Sequence, residues 1–365
     1  MINPKDLQIN RIIIHQVHKK IDGASYGIAE YEDELINFGA TETETLKKRI
    51  CAAFSKTKRF FKLEIAQCEI DSFYDNASKI KNASQELFIE KSKRIADLLA
   101  LSHNKKTIPG GLLLIMDGFY NKQSHFVLVI KAELQEAFTI KNVDKHKVVE
   151  LINELFLSPA QDFYKIGYLI ENTNNDTFPN NNHSAYMYDD NFSSGNRDLA
   201  EYFYRDFLGF STNKNDKLLT KNFLSDIHNL IQNNVVGFDD SKGLKNALNC
   251  LYRENTSGII NPHEFAKQNF QPELLKRYEN KISFNYPQSF TKDLSLVERK
   301  LKRGVILLSE DLKIEGPFNS IDNVDVFNGN QIDFKALKLA VDTGEIRQIV
   351  TIKTENLKST TKALS

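Results

Sequence analysis

Tryptophan is absent from the 365 residues, cysteine occurs three times, and no apolar run approaches the ~18–20 residues of a bilayer span. Cys51, Cys68 and Cys250 are odd in number, far apart and never paired as C-x-x-C. Such spacing indicates neither a disulfide framework nor a zinc site, and it fits a reducing compartment. Net charge is missing too: 48 Lys and Arg balance 48 Asp and Glu, so only local clustering could create a preference for a polyanion. The opening MINPKDLQINRIII has no basic segment leading into a long apolar stretch, and the expectation is a soluble, unexported, cytoplasmic protein that does not engage a membrane.

What is present is a globular composition, 41% hydrophobic with 25 Phe and 13 Tyr, over a length that suits roughly two or three domains. INRIIIHQV (Ile9 to Val17) reads as a β-branched strand. Helical spacing over Glu42 to Phe54 puts Leu46, Ile50 and Ala53 on one face, and Glu86 to Leu101 puts Leu87, Ile95, Leu98 and Leu99 on another. PGGLLLIMDGFYNKQSHFVLVIKAELQEAFTI predicts a turn and two or three strands, and the unbroken apolar runs Leu112 to Met116 and Phe126 to Ile130 imply cover on both faces. Asp162 to Asn172 adds a further strand.

The Asn-rich stretch NTNNDTFPNNNHS has no apolar period and reads as a linker. Beyond it, helices are expected at Asp198 to Leu208, Asp216 to Gln232, Ser241 to Arg253, Asn261 to Gln268 and Pro272 to Asn280. GVILLSEDLKIEGPF and VDVFNGNQIDF then read as paired strands, the second with an Asn328-Gly329 turn. The predicted class is α+β: an N-terminal mixed sheet with packed helices (1–172), a linker (173–197), a helical bundle (198–281), a small β-rich domain (282–354) and a flexible tail (355–365).

Chemistry-bearing motifs are few. Counted as a calcium loop from Asp190, the sequence places Ser194, Gly195, Asp198 and Glu201 at suitable positions, but Phe192 stands where a side-chain oxygen is needed and Arg197 where an apolar residue belongs. A helix start explains more: Asn196 or Asp198 as cap, Glu201 completing a capping box, Leu199, Phe203 and Phe207 on the buried face, and Gly209 closing the helix. HEFAK at His263 has Lys267 where a zinc protease needs its second histidine, and His15 beside an apolar strand reads as structural. No phosphate-cradling glycine motif and no G-x-S-x-G occurs, so no cofactor is expected. Asp325, Asp333 and Lys335 match the spacing of a metal-dependent nuclease, in which two carboxylates hold Mg²⁺ and the lysine activates water. A plain hairpin accounts for the same residues.

Basic clusters are more numerous: Lys47 to Arg49; Lys56, Lys58, Arg59 and Lys62; Lys91, Lys93 and Arg94; Arg299, Lys300, Lys302 and Arg303. Such groups neutralise phosphates and release counterions, although each alone also suits a solvated helix face.

The order of INRIIIHQV, GGLLLIMDGFYNKQSHFVLVIKAEL and NRDLAEYFYRDFLGF resembles the bacterial nucleoid-associated proteins of the NdpA type, clearly over Ile9 to Gly209 and more weakly beyond. The resemblance implies a cytoplasmic, nucleoid-located, non-enzymatic protein that binds double-stranded DNA without a cofactor, as a homodimer. It carries over no catalytic motif. The leading expectation is therefore sequence-tolerant binding of duplex DNA through the last three basic clusters. The alternatives are the nuclease, or a nuclease-like phage-defence component, and a protein-interaction module that does not touch DNA.

Overall fold

The computed structural model describes residues 6–133, 156, 165–172, 182–192, 199–235, 238–301, 303–307 and 313–317, the last two segments as backbone alone. The chain divides into two units, Met1–Asn215 and Asp216–Ser365.

The first unit is an eight-stranded sheet in the order β2-β1-β4-β5-β6-β7-β3-β8, formed by β1 (Leu7–His18), β2 (Ile28–Glu30), β3 (Phe60–Ile65), β4 (Gly111–Tyr120), β5 (Ser124–Glu133), β6 (Lys165–Glu171), β7 (His183–Asp189) and β8 (Phe210–Ser211). The α+β class is as expected, but every ladder of this sheet is antiparallel where a mixed sheet was predicted. β4 and β5 are joined by a tight turn at Asn121 and Lys122, both at positive φ. Their apolar runs are buried on both faces, as the unbroken pattern implied.

Helix α1 (Ala40–Ser55) covers one face, placing Leu46, Ile50, Ala53 and Phe54 in one cluster with Leu112, Leu114, Met116 and Leu128. α2 (Phe73–Ser78) and α3 (Gln85–Ser102) begin at Ser72 and Ser84, whose hydroxyls accept from the amides of Asp75 and Leu87. The buried stripe of α3 is Phe88, Ile95, Ala96 and Leu99. Leu87, expected in that stripe, is instead 36% exposed. Between Tyr202 and Phe207 the chain forms a π-helix whose Leu208 amide bonds Phe203 O at 3.0 Å. Leu199, Phe203 and Phe207 are buried as predicted, and Gly209 closes the turn at φ +65°.

Two expectations are corrected. The segment assigned as linker, 173–197, contains β7, which pairs with β6 on one side and β3 on the other, and the first unit runs to Asn215 rather than ending at 172. β3 is absent from the expected strands, because the Lys56 to Lys62 cluster masks the alternation of FFKLEI. Its alternating burial, with Phe61 and Leu63 inside and Lys62 outside, is the signature of a half-buried strand.

The second unit has the predicted helices: α4 (Asp216–Asn234), α5 (Phe238–Arg253), α6 (Pro262–Asn269) and α7 (Pro272–Lys281), followed by the short α8 (Glu298–Leu301). Pro262 and Pro272 stand in the first turn of their helices, where the missing amide costs nothing. Phe223, Tyr252, Phe265, Phe270, Tyr278 and Tyr286 form its core. β9 (Ile259–Ile260) pairs with β10 (Phe290–Thr291), and the expected hairpin of β11 (Arg303–Leu307) and β12 (Lys313–Pro317) is present. The strands expected around Gln135 to Ile140 and at the Asn328-Gly329 turn lie outside the described residues. Among the described residues, no helix is long and apolar enough to cross a membrane.

Candidate nucleic-acid interface

Lys56, Lys58 and Arg59 stand at the turn from α1 into β3, and Lys62 follows as the third residue of β3 itself. Arg59 is ion-paired with Asp190, and Lys56 Nζ lies 3.8 Å from the same carboxylate. The Tyr188 hydroxyl donates to that carboxylate at 2.7 Å. Burial works against the Arg59 charge, but the Tyr188 hydroxyl and Asp190 outweigh it and raise the guanidinium pKa above its usual value. Lys58 and Lys62 are exposed, with no ion-pair partner among the described residues. Four cations against one carboxylate leave this turn and the start of β3 strongly basic.

The second predicted cluster has a different balance. On α3, Lys91 pairs with Glu90 at 2.9 Å, Lys93 with Asp33, and Arg94 with Asp71 and, at 3.2 Å, with Asp97. Three cations meet four carboxylates, so the local field is close to neutral. Of the third cluster, Arg299 and Lys300 lie on α8, Arg303 opens β11, and Lys302 is outside the described residues. This cluster belongs to the other unit.

A further basic group escaped the sequence reading because its halves are 86 residues apart. Lys19 and Lys20 follow β1, and Lys105 and Lys106 lie in the loop that enters β4. Lys20 Nζ donates to Asn104 O at 3.2 Å, and Lys106 is ion-paired with Asp22. Gly110 packs so closely that an added Cβ would stand 2.9 Å from the Lys19 amide nitrogen. Two Lys-Lys dipeptides, each flanking a strand that the other's strand pairs with, were the available signal.

Buried polar groups between these surfaces are structural. Lys131 on β5 donates to Pro109 O at 2.8 Å and to the Tyr202 hydroxyl at 2.9 Å, which ties the π-helix to the sheet. Its burial lowers the ammonium pKa to about 7. Lys165 on β6 lies 3.5 Å from Glu133 and 3.6 Å from Asp189, and Asp189 accepts the amides of Asn191 and Ala200. Arg11 forks onto Asp117 at 3.0 and 2.7 Å and also donates to Ile80 O and Ala83 O.

His15 Nε2 lies 2.9 Å from Ser92 Oγ, the separation of a nucleophile and its base, but the hydrogen bonds assign the opposite roles. His15 Nδ1 accepts the Glu32 amide at 3.1 Å, so the neutral ring carries its proton on Nε2 and donates to Ser92. Ser92 in turn donates to Ile89 O. Burial holds the His15 pKa down to about 4, which keeps the ring neutral. The pair is therefore a structural tie, as expected for His15.

Among the described residues, no group of three or more His, Cys, Asp or Glu could hold a metal ion. Asp190 is engaged by Arg59, whereas Ser194, Gly195 and Asp198 of the calcium-loop count lie outside the described residues, as do Asp325, Asp333 and Lys335. None of the three cysteines forms a disulfide among the described residues.

In comparisons with known proteins, a family described as nucleoid-associated protein YejK matches residues 13–353. No curated protein matches the chain.

Proposed function

Since the chain belongs to the family of the nucleoid-associated protein YejK, we propose that it binds double-stranded DNA in the cytoplasmic nucleoid of a bacterium, with little regard to sequence, as a homodimer and without a cofactor or a catalytic step. The family match over residues 13–353 carries this reading. The basic turn at β3 supports it, because exposed ammonium groups contact phosphates rather than base edges and so bring affinity without sequence readout. Lys58 and Lys62 are the foremost contacts, with Lys56 and Arg59 oriented by Tyr188 and Asp190. Lys91, Lys93 and Arg94 contribute little while their carboxylate partners hold them. Four cations less the Asp190 charge leave about three effective contacts, and the protein's log K against log salt slope should gain about −2.7 from them.

The test is fluorescence anisotropy of a labelled duplex, competed with an unrelated duplex, for the wild type and K58E/K62E. Equal competition and a weakened variant support the reading. A strong preference for one sequence, or a variant that binds as the wild type does, contradicts it. Plasmid nicking in Mg²⁺ that disappears in Asp333→Ala would contradict its non-catalytic part.

A further inference from the structure

We infer that Lys19, Lys20, Lys105 and Lys106 form a second phosphate-contacting patch for duplex DNA, at the same end of the eight-stranded sheet as the β3 turn. The inference rests on the DNA-binding reading above and adds a surface that the basic runs in the sequence did not reveal.

The strand registers establish the placement. Val17 pairs with Gly111, Gly111 with Glu133, Lys131 with Lys165, Lys165 with Asp189, and Tyr188 with Phe60. The Asp189 amide extends this row by bonding Arg59 O at 3.0 Å. One end of the sheet therefore runs from the C-terminus of β1 to the N-terminus of β3. Lys19 and Lys20 lie just beyond β1, Lys105 and Lys106 in the loop before β4, and Lys56 to Arg59 just before β3.

The charge balance distinguishes this patch from an ordinary surface. Its four lysines face one acid, Asp22, which takes Lys106. Glu30 nearby is 3.3 Å from His18. Lys19 and Lys105 are exposed, with no ion-pair partner among the described residues. The exposed rings and chains around them, Tyr26 at 47% and Ile21 at 56%, add apolar contact area beside the ammonium groups.

Five strand steps separate β1 from β3. At about 4.8 Å per step they offset the two patches by at least about 24 Å, or about seven phosphate spacings of ~3.4 Å along one DNA strand. Right-handed sheet twist adds to this separation. A duplex that touches both patches is therefore held across the sheet end, and the two sets of contacts add within one footprint.

The experiment measures affinity for a labelled duplex of about 20 base pairs against salt, using the full chain. The proteins are the wild type, K19Q/K20Q/K105Q/K106Q, and the control K79Q/K81Q, whose lysines pair with Asp75 and Glu171. Loss of about three effective contacts should make the patch variant's slope shallower by about 2.7, so that raising salt from about 50 to 200 mM costs it roughly 40-fold less affinity than it costs the wild type. The control, whose lysines are already paired, keeps the wild-type slope. A patch variant with unchanged slope and affinity, or a control that loses as much, overturns this inference while leaving DNA binding intact. A wild type that ignores the duplex overturns the DNA-binding reading and this inference with it. Tighter binding to an RNA duplex that the same variant loses would overturn the assignment to DNA.

Discussion

Replacing Lys131 with Met should change how the stability of the first unit depends on pH. The ammonium is enclosed between β5 and the π-helix, and burial brings its pKa from 10.5 to about 7. A neutral amine still has two N–H groups, enough for Pro109 O and the Tyr202 hydroxyl. The sign follows from proton counts: between pH 7 and 10.5 the unfolded chain keeps a proton that the folded chain has released, so stability rises with pH. From pH 7 to 8.5, a folded pKa of about 7 against an essentially saturated unfolded lysine gives about one pH-equivalent, or roughly 1–2 kcal/mol. The Cys51 thiol, raised by burial from 9 to about 11, opposes this in the same window. Its unfolded form is barely ionised there, so the opposition is small beside the lysine's contribution. Urea unfolding at pH 7, 7.75 and 8.5 reads the difference. K131M loses the rise while also paying for the two abandoned partners in absolute stability. A wild type whose midpoint moves no more than the variant's over this range would refute the reasoning.

Asp117→Ala leaves the largely buried Arg11 guanidinium without its carboxylate. Because Ile80 O and Ala83 O remain as acceptors, the loss should lie near the low end for a broken buried pair, about 3 kcal/mol by urea denaturation, and a loss under about 1 kcal/mol would contradict the packing described. Gly209→Ala combines positive φ with a Cβ 2.7 Å from Gln67 Cβ, and should cost at least about 1 kcal/mol of unfolding free energy. Burial lowers His15, His103 and His228 to about 4, 3 and 4, so the stability they support is present above pH 6.5 and is lost as pH falls towards those values. His15→Gln should make acid unfolding shallower by up to about 1.4 kcal/mol per pH unit between pH 6.5 and 4.5, read from urea midpoints.

The sequence made the double-sided strands β4 and β5 legible, because unbroken apolar runs leave no polar face, and the proline-started helices α6 and α7, because Pro at the first helical position is a local signal. β7 was hidden by its setting: HSAYMYD follows an Asn-rich stretch, and only pairing with β6 and β3, residues distant in sequence, makes it a strand. β3 carried a readable alternation that its lysine and arginine obscured. Helix periodicity found α3, but the chosen stripe began at Leu87 instead of Phe88, an error of one residue that helix phase does not forgive. For the candidate interface, the sequence located basic residues without their counter-ions. Asp33, 60 residues from Lys93, and Asp190, 131 from Arg59, decide which clusters remain basic. The Lys19, Lys20, Lys105 and Lys106 group required the β1–β4 register to appear at all.

The most direct test of the account is the salt dependence of wild-type binding to a duplex of arbitrary sequence, followed by anisotropy. Two patches of about three effective contacts each predict a log K against log salt slope near −5, the same for an unrelated duplex. A slope near zero, or no binding at low salt, would contradict it.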